Sequence, residues 1–177
     1  QRDMVERIRS AGQSLLAILN DVLDLSKIEA GRLEISPTDT GLLHTLQQVD
    51  RLFQTAAREK GVSLTLSGGL TTAQRLRYDP VRVRQCVSNL VSNAVKFTEE
   101  GEVVLSVYES AGKESDSVSL RFEVRDTGIG IKEEKRSSIF DAFAQEDVST
   151  SKRYGGTGLG LTISNNLLKL MHSQLEL

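Results

Sequence analysis

An α+β fold is predicted: a two-layer α/β sandwich, its mixed sheet covered by helices, preceded by one long bundle or coiled-coil helix. Three observations carry this. An N-terminal segment repeats its apolar residues at heptad spacing. Beyond Pro37, helical and alternating apolar patterns are mixed without regular alternation, which argues against a doubly wound sheet. Three polar or glycine-rich segments interrupt the apolar pattern at places where packing alone does not call for them.

The bulk properties bound the reading. With 177 residues, 38% hydrophobic and 26% charged, the chain suits one medium domain with its own core plus an accessory element. The 22 basic and 24 acidic residues leave a net charge of -2, so no global basic field recruits nucleic acid or an anionic membrane, and no nucleic-acid partner is expected. Cys86 is the only cysteine and cannot form an internal disulfide, which fits a reducing, cytoplasmic setting. No apolar stretch approaches the roughly 20 residues of a membrane helix. The start Gln1-Arg2-Asp3 is not a signal peptide. Gln1 is not an initiator and Gln174-Leu175-Glu176-Leu177 reads as a strand cut short, so a piece of a larger, membrane-anchored protein remains compatible with this composition.

The elements follow in order. Met4, Ile8, Ala11, Leu15, Ile18, Val22 and Leu25 are spaced four and three residues alternately, a seam that wants partner helices. Leu16, Leu19 and Leu23 widen it towards a helix bundle, and Gly31 supplies the stop. A homodimer through this helix is expected; the alternative is a core helix folded back onto the following domain. Leu42, Leu43, Leu46, Val49, Phe53 and Ala57 mark a second amphipathic helix ending at Gly61. Residues 62–66 alternate as a strand, Gly68-Gly69 mark a loop, and 75–79 form a second short strand. Pro80 opens a helix over 81–97. Strands 103–108 and 118–124 form a hairpin. Residues 132–140 read as a short helix, 141–156 as a long loop and 159–171 as a final helix. Domain boundaries fall at 1–33 and 34–177.

On the 81–97 helix, Gln85, Asn89, Asn93 and Lys96 share one face while Val83, Val87, Leu90, Val91 and Ala94 take the others. The helix is expected to be buried with its polar stripe lining a cleft, and amides and one ammonium in a cleft suit an anionic ligand with a metal. Magnesium keeps several waters and bridges phosphates, so one carbonyl oxygen from Asn93 suffices as the protein's contribution. The bland alternative is a solvated helix face. Asp126-Thr127-Gly128-Ile129-Gly130 follows a strand; its glycines admit a ligand close to the backbone, and a buried carboxylate accepts a hydrogen bond from an amine such as that of adenine. A plain strand-end turn is the alternative. Asp-Thr-Gly also occurs in aspartic proteases, but those are all-β and need two copies. Gly155-Gly156-Thr157-Gly158-Leu159-Gly160-Leu161 precedes an amphipathic helix, where unpartnered N–H groups favour phosphate. It is neither the dinucleotide fingerprint nor the P-loop. Lys152 and Arg153 lie just upstream, so the loop can act as a lid that orders around nucleotide.

Together these segments resemble the motifs of histidine kinases. Asn89-Leu90-Val91-Ser92-Asn93-Ala94-Val95-Lys96-Phe97-Thr98 resembles their N box, Asp126-Thr127-Gly128-Ile129-Gly130 their first glycine box and Gly156-Thr157-Gly158-Leu159-Gly160-Leu161 their second. Ile139-Phe140-Asp141-Ala142-Phe143 resembles the F box. Leu23-Asp24-Leu25-Ser26-Lys27-Ile28-Glu29-Ala30-Gly31 resembles the end of the second helix of the dimerisation hairpin, especially in hybrid kinases.

The resemblance implies the Bergerat ATP-binding fold, with ATP and Mg2+ as ligands. Asp126 would meet the adenine amine, Asn93 magnesium and Lys96 the phosphates, with Asn89 orienting the reacting group, so that Asn89 and Lys96 stand nearest the chemistry. Lys152 and Arg153 would steady the phosphate tail. Gly156, Thr157, Gly158, Leu159 and Gly160 would contact the nucleotide, and Gly128 and Gly130 would shape the other end of the lid. Implied partners are ATP or ADP, the phosphoacceptor histidine hairpin and a response-regulator receiver domain. Neither His44 nor His172 has the acidic and proline context of the family's phosphorylated histidine, and near His172 the family often has glycine. Two rivals remain. A gyrase- or chaperone-type ATPase uses a glutamate base where Asn89 stands here, and a non-catalytic module would bind nucleotide only as a structural ligand.

Overall fold

The computed structural model describes residues 2–68, 75–136, 138–141 and 158–177. It divides into two compact units, one made of Gln1–Ile35 with Ser137–Leu177 and the other of Ser36–Arg136.

In the first unit, helix α1 (Arg2–Glu29) carries the heptad seam, and Met4, Ile8, Leu15, Ile18 and Val22 on it are all exposed. The seam is therefore not a core face. Gly31 ends the helix as its sequence predicts. At φ 64° it donates its N–H to the Ile28 carbonyl at 3.0 Å, and Arg32 donates to Lys27 at 2.8 Å, the paired closure of a left-handed helix end.

The second glycine segment leads into helix α4 (Gly160–Leu170), which packs with α1. Leu159, Ile163 and Leu167 are buried, and the Thr162 hydroxyl donates to the Phe140 carbonyl at 3.0 Å. This helix closes as α1 does, with His172 donating to Lys169 at 3.1 Å and Ser173 to Leu168 at 2.8 Å. Here the left-handed position is held by His172, at φ 54°.

The second unit is built on a three-stranded sheet in the order β2 (Val62–Gly68), β4 (Gly101–Ala111), β5 (Val118–Asp126). The first pair is parallel and the second antiparallel, so the sheet is mixed as expected. Period-two burial puts one apolar face on it. Leu64, Val103 and Asp126 share a row, as do Leu66, Leu105 and Val124, and then Gly68, Val107 and Phe122. Two helices cover that face. Helix α2 (Leu42–Glu59) contributes Leu42, Leu46, Val49 and Ala57, and helix α3 (Pro80–Phe97) contributes Val87, Val91, Ala94 and Val95 to the same core.

The start of α3 is over-determined. Pro80 at the first position has no N–H to satisfy. Asp79, buried, accepts from the N–H groups of Val81 and Arg82 at 3.0 Å through one oxygen and from Ser36 at 2.9 Å through the other.

Two departures from expectation have physical reasons. Strand β1 (Thr38–Gly41) pairs antiparallel with β3 (Arg75–Tyr78), and its Thr-Asp-Thr-Gly sequence gives no apolar alternation to reveal it. The helix expected over 132–140 is a correction: among its described residues there is a 3-10 turn, Glu133–Lys135, followed by turn residues. Residues 132–136 are charged or exposed throughout, so no apolar stripe supports a helix too short to be stable alone.

The conformation of His172 gives a stability prediction. His172→Gly removes the steric cost of a left-handed non-glycine residue and is expected to raise stability by about 1 kcal/mol, raising Tm by about 2–4 °C in thermal unfolding. An unchanged or lowered Tm would show that the position is not strained.

Candidate functional site

The polar stripe of α3 forms because the opposite faces are taken. Cys86, Val87, Val91, Ala94 and Val95 are buried, leaving Gln85, Asn89, Asn93 and Lys96 half-buried on the remaining arc. Gln85 accepts a hydrogen bond from Arg82 Nη1 at 2.9 Å. Among the described residues the Asn93 amide has no hydrogen-bond partner, so its carbonyl oxygen and its NH2 are both available to a ligand. The Lys96 ammonium stands 4.6 Å from the centroid of the Phe97 ring. Partial burial holds its pKa below the ordinary 10.5, because the charged form loses water. An anion beside it would reverse that loss.

The acid-glycine turn is locked onto the far end of the same helix. The N–H of Ile129 donates to the Phe97 carbonyl at 3.4 Å, and a Cβ on Gly128 would lie 2.5 Å from that oxygen. Glycine is required there by contact and not by backbone angle. Thr127 ties the turn to β4: its N–H donates to the Glu102 carbonyl at 3.1 Å, and its hydroxyl accepts from the Glu102 N–H at 3.0 Å.

Asp126 pairs with Val103 across the hairpin, so it ends β5 on the sheet face that the helices cover. The carboxylate is nevertheless exposed, which corrects the expectation of a buried acid. Its Oδ1 accepts from the Gly128 N–H at 2.9 Å. An acid on the helix side of a sheet, held by one backbone donor and open to solvent, can take a further donor from a ligand. It is the last residue of its strand, at the end of the row it shares with Leu64 and Val103.

The second unit thus brings together Asn89, Asn93 and Lys96 on α3 and Asp126 and Gly128 in the turn against its C-terminus. Gly130, at φ 70°, follows with nothing within 4 Å of its Cβ direction. The first unit holds Gly158, at φ 70°, the buried Leu159 and Gly160, which opens α4 with no side-chain cap on its first N–H groups. Lys152, Arg153, Gly156 and Thr157 lie outside the described residues. So do Ala142 and Phe143 of the F-box segment and the lid expected over the loop 141–156, apart from Asp141.

Two contributors escaped the sequence reading. Thr127 was passed over inside the Asp-Thr-Gly run, although a hydroxyl beside an essential turn is a usable signal. Lys60 reaches the last carbonyls of α3 from the end of α2, and nothing local in the sequence announces such a contact.

Residues 78–177 match the family model described as histidine kinase-, DNA gyrase B-, and HSP90-like ATPase. The chain belongs to this ATPase family. Among similar proteins, the signal transduction histidine-protein kinase BarA of Escherichia coli K12 is 43% identical over 171 residues, covering 97% of this chain and 18% of BarA. The autoinducer 2 sensor kinase/phosphatase LuxQ of Vibrio vulnificus YJ016 is 40% identical over 97% of this chain and 20% of its own length. The chain therefore spans about a fifth of these curated relatives. Full-length ShkA, solved in complex with AMPPNP, superposes with a TM-score of 0.78 at 36% identity, covering 97% of this chain and 34% of ShkA. The catalytic domain of histidine kinase ThkA gives a TM-score of 0.62 at 26% identity, over 76% of this chain and 80% of that one. The α+β architecture and mixed sheet agree with these ATPase-family structures.

Two glycines of the turn separate contact from conformation. Gly128→Ala forces a methyl group against the Phe97 carbonyl and is expected to cost about 1–3 kcal/mol. Gly130→Ala meets open space and bears only the left-handed backbone cost, about 1 kcal/mol. Chemical denaturation of both variants checks this; equal losses would contradict the close approach of the turn to α3.

Proposed function

We propose that this chain is the ATP-binding catalytic part of a sensor histidine kinase and transfers the γ-phosphoryl group of ATP to a histidine on a separate dimerisation hairpin. The observation that carries the reading is the Asp126–Gly128 turn clamped to the end of the helix that bears Asn93 and Lys96. In this reading an adenine-type acceptor, Asp126, and a phosphate-type cation, Lys96, share one short stretch of connected backbone.

The roles follow from the chemistry of each group. The open side of the Asp126 carboxylate accepts the exocyclic amine of adenine. Lys96 neutralises phosphate charge, and Asn89 orients the transferring group. The Asn93 carbonyl is a hard oxygen donor that would hold magnesium, which when bound would supply charge neutralisation for the phosphates. The family resemblance also assigns nucleotide contacts to Gly158, Leu159 and Gly160 at the start of α4, and to Lys152, Arg153, Gly156 and Thr157 before it. The imidazole nitrogen of the acceptor attacks the γ-phosphorus, the bond to the bridging oxygen breaks and ADP leaves. Positioning and charge neutralisation suffice, so no further nucleophile is needed.

Neither histidine of this chain fits the acceptor role. His44 is on α2 within 3.0 Å of Gln48, and His172 closes α4. In this reading the exposed seam of α1 pairs with a second copy in a homodimer, and a receiver domain takes the phosphoryl group onward. Among the described residues no helix is long and apolar enough to cross a membrane, which agrees with a cytoplasmic part of a larger sensor. An asparagine at position 89 in place of a glutamate base disfavours steady hydrolysis.

Incubating the chain with γ-labelled ATP and a separately produced histidine-bearing hairpin is expected to give acid-labile phosphate on the hairpin. Asn93→Ala should lower the rate at least about tenfold, equivalent to ~1.4 kcal/mol in the barrier. Rapid release of free phosphate without transfer would instead support a gyrase-type ATPase. Binding with neither transfer nor release would support a non-catalytic module.

A further inference from the structure

We infer that Lys60 is a positioning residue for the nucleotide site, acting through the C-terminus of α3; the inference rests on the reading of that site just given. A helix leaves its last carbonyls without intrahelical donors. At the end of α3 each of the final four has an outside partner. Ala94 accepts from the Thr98 N–H at 3.0 Å and from the Thr98 hydroxyl at 2.8 Å. Phe97 accepts from the Ile129 N–H. The two between them, Val95 and Lys96, both accept from the Lys60 ammonium, at 2.7 and 2.9 Å.

One cation therefore supplies half of the closure, where the helix dipole also favours positive charge. Lys60 is itself fixed, because it caps α2 with its N–H on the Ala56 and Ala57 carbonyls. The backbone it holds is the backbone of the site. Lys96 carries the phosphate-facing ammonium, and the neighbouring Phe97 carbonyl receives Ile129 and abuts Gly128, whose N–H in turn holds Asp126. Loss of the Lys60 ammonium leaves the last turn of α3 to water, and the Lys96 side chain and the Asp126 carboxylate lose their common reference. Lys60 touches no ligand in this scheme; it sets the geometry of residues that do.

The test uses the whole chain and three forms of it: parent, Lys60→Met, which keeps stem length without charge, and Lys60→Arg, which restores donors and charge. Calorimetry with Mg-ADP, at a temperature where circular dichroism shows each form folded, is paired with amide NMR of Gly128 and Ile129 without ligand. Lys60→Met is expected to bind about tenfold more weakly with both amide resonances displaced, and Lys60→Arg to recover most of the affinity. A folded Lys60→Met with a lower Tm but unchanged Kd and unchanged Gly128 and Ile129 resonances would overturn the inference and leave Lys60 a merely structural cap. Should Lys60→Met not fold, Lys60→Gln replaces it under the same criteria. If the parent binds no nucleotide, the functional reading fails, and the two amides alone decide whether Lys60 positions the turn.

Discussion

The approach of Gly128 to the Phe97 carbonyl is possible only without a Cβ, and it joins the last strand of the sheet to the last turn of a helix. Neither partner is set by local sequence alone. The helix end arrives where it does because Val87, Val91, Ala94 and Val95 pack onto the sheet, and the strand end because β5 pairs with β4 up to its final residue. Ordinary burial of apolar rows thus delivers two backbone segments to one point. There, glycine allows contact that any side chain would forbid.

Function follows from what the packing leaves uncovered. One side of α3 is buried in the core, and Asn89, Asn93 and Lys96 lie half-buried on another, at the cost of partial desolvation that lowers the pKa of Lys96. Asp126 sits on the helix-facing side of the sheet, at the end of the row it shares with Leu64 and Val103, yet it is exposed. These polar groups are held in place by the packing of α3 and the pairing of β5. In a reaction that depends on holding phosphates and screening their charge, such preorganisation is the main contribution a protein makes.

Much of this was legible in the residues. The heptad seam of α1, the stop at Gly31, the Pro80 start of α3 and the alternation of β4 and β5 each have a one-dimensional signature, because each depends on neighbours within a few positions. The stripe Gln85, Asn89, Asn93, Lys96 was legible for the same reason. Strand β1 was not, since it pairs with the distant β3, and Thr38-Asp39-Thr40-Gly41 lacks any apolar period. The helix expected over 132–140 fails because the charged, exposed run 132–136 has no apolar stripe to pack. The exposure of Asp126 and the reach of Lys60 to Val95 and Lys96 depend on tertiary position, which no spacing rule encodes. The family resemblance puts glycine near His172, and the left-handed backbone of His172 supplies a physical reason for it.

The central claim is that the turn at Asp126, set against the end of α3, is a nucleotide site. Calorimetric titration of Mg-ADP and of a non-hydrolysable ATP analogue into the chain and into Asp126→Asn tests it most directly. Saturable binding by the parent and its loss in a variant that remains folded is the predicted result. A folded parent that takes up no nucleotide, or a variant that binds as the parent does, would contradict the account.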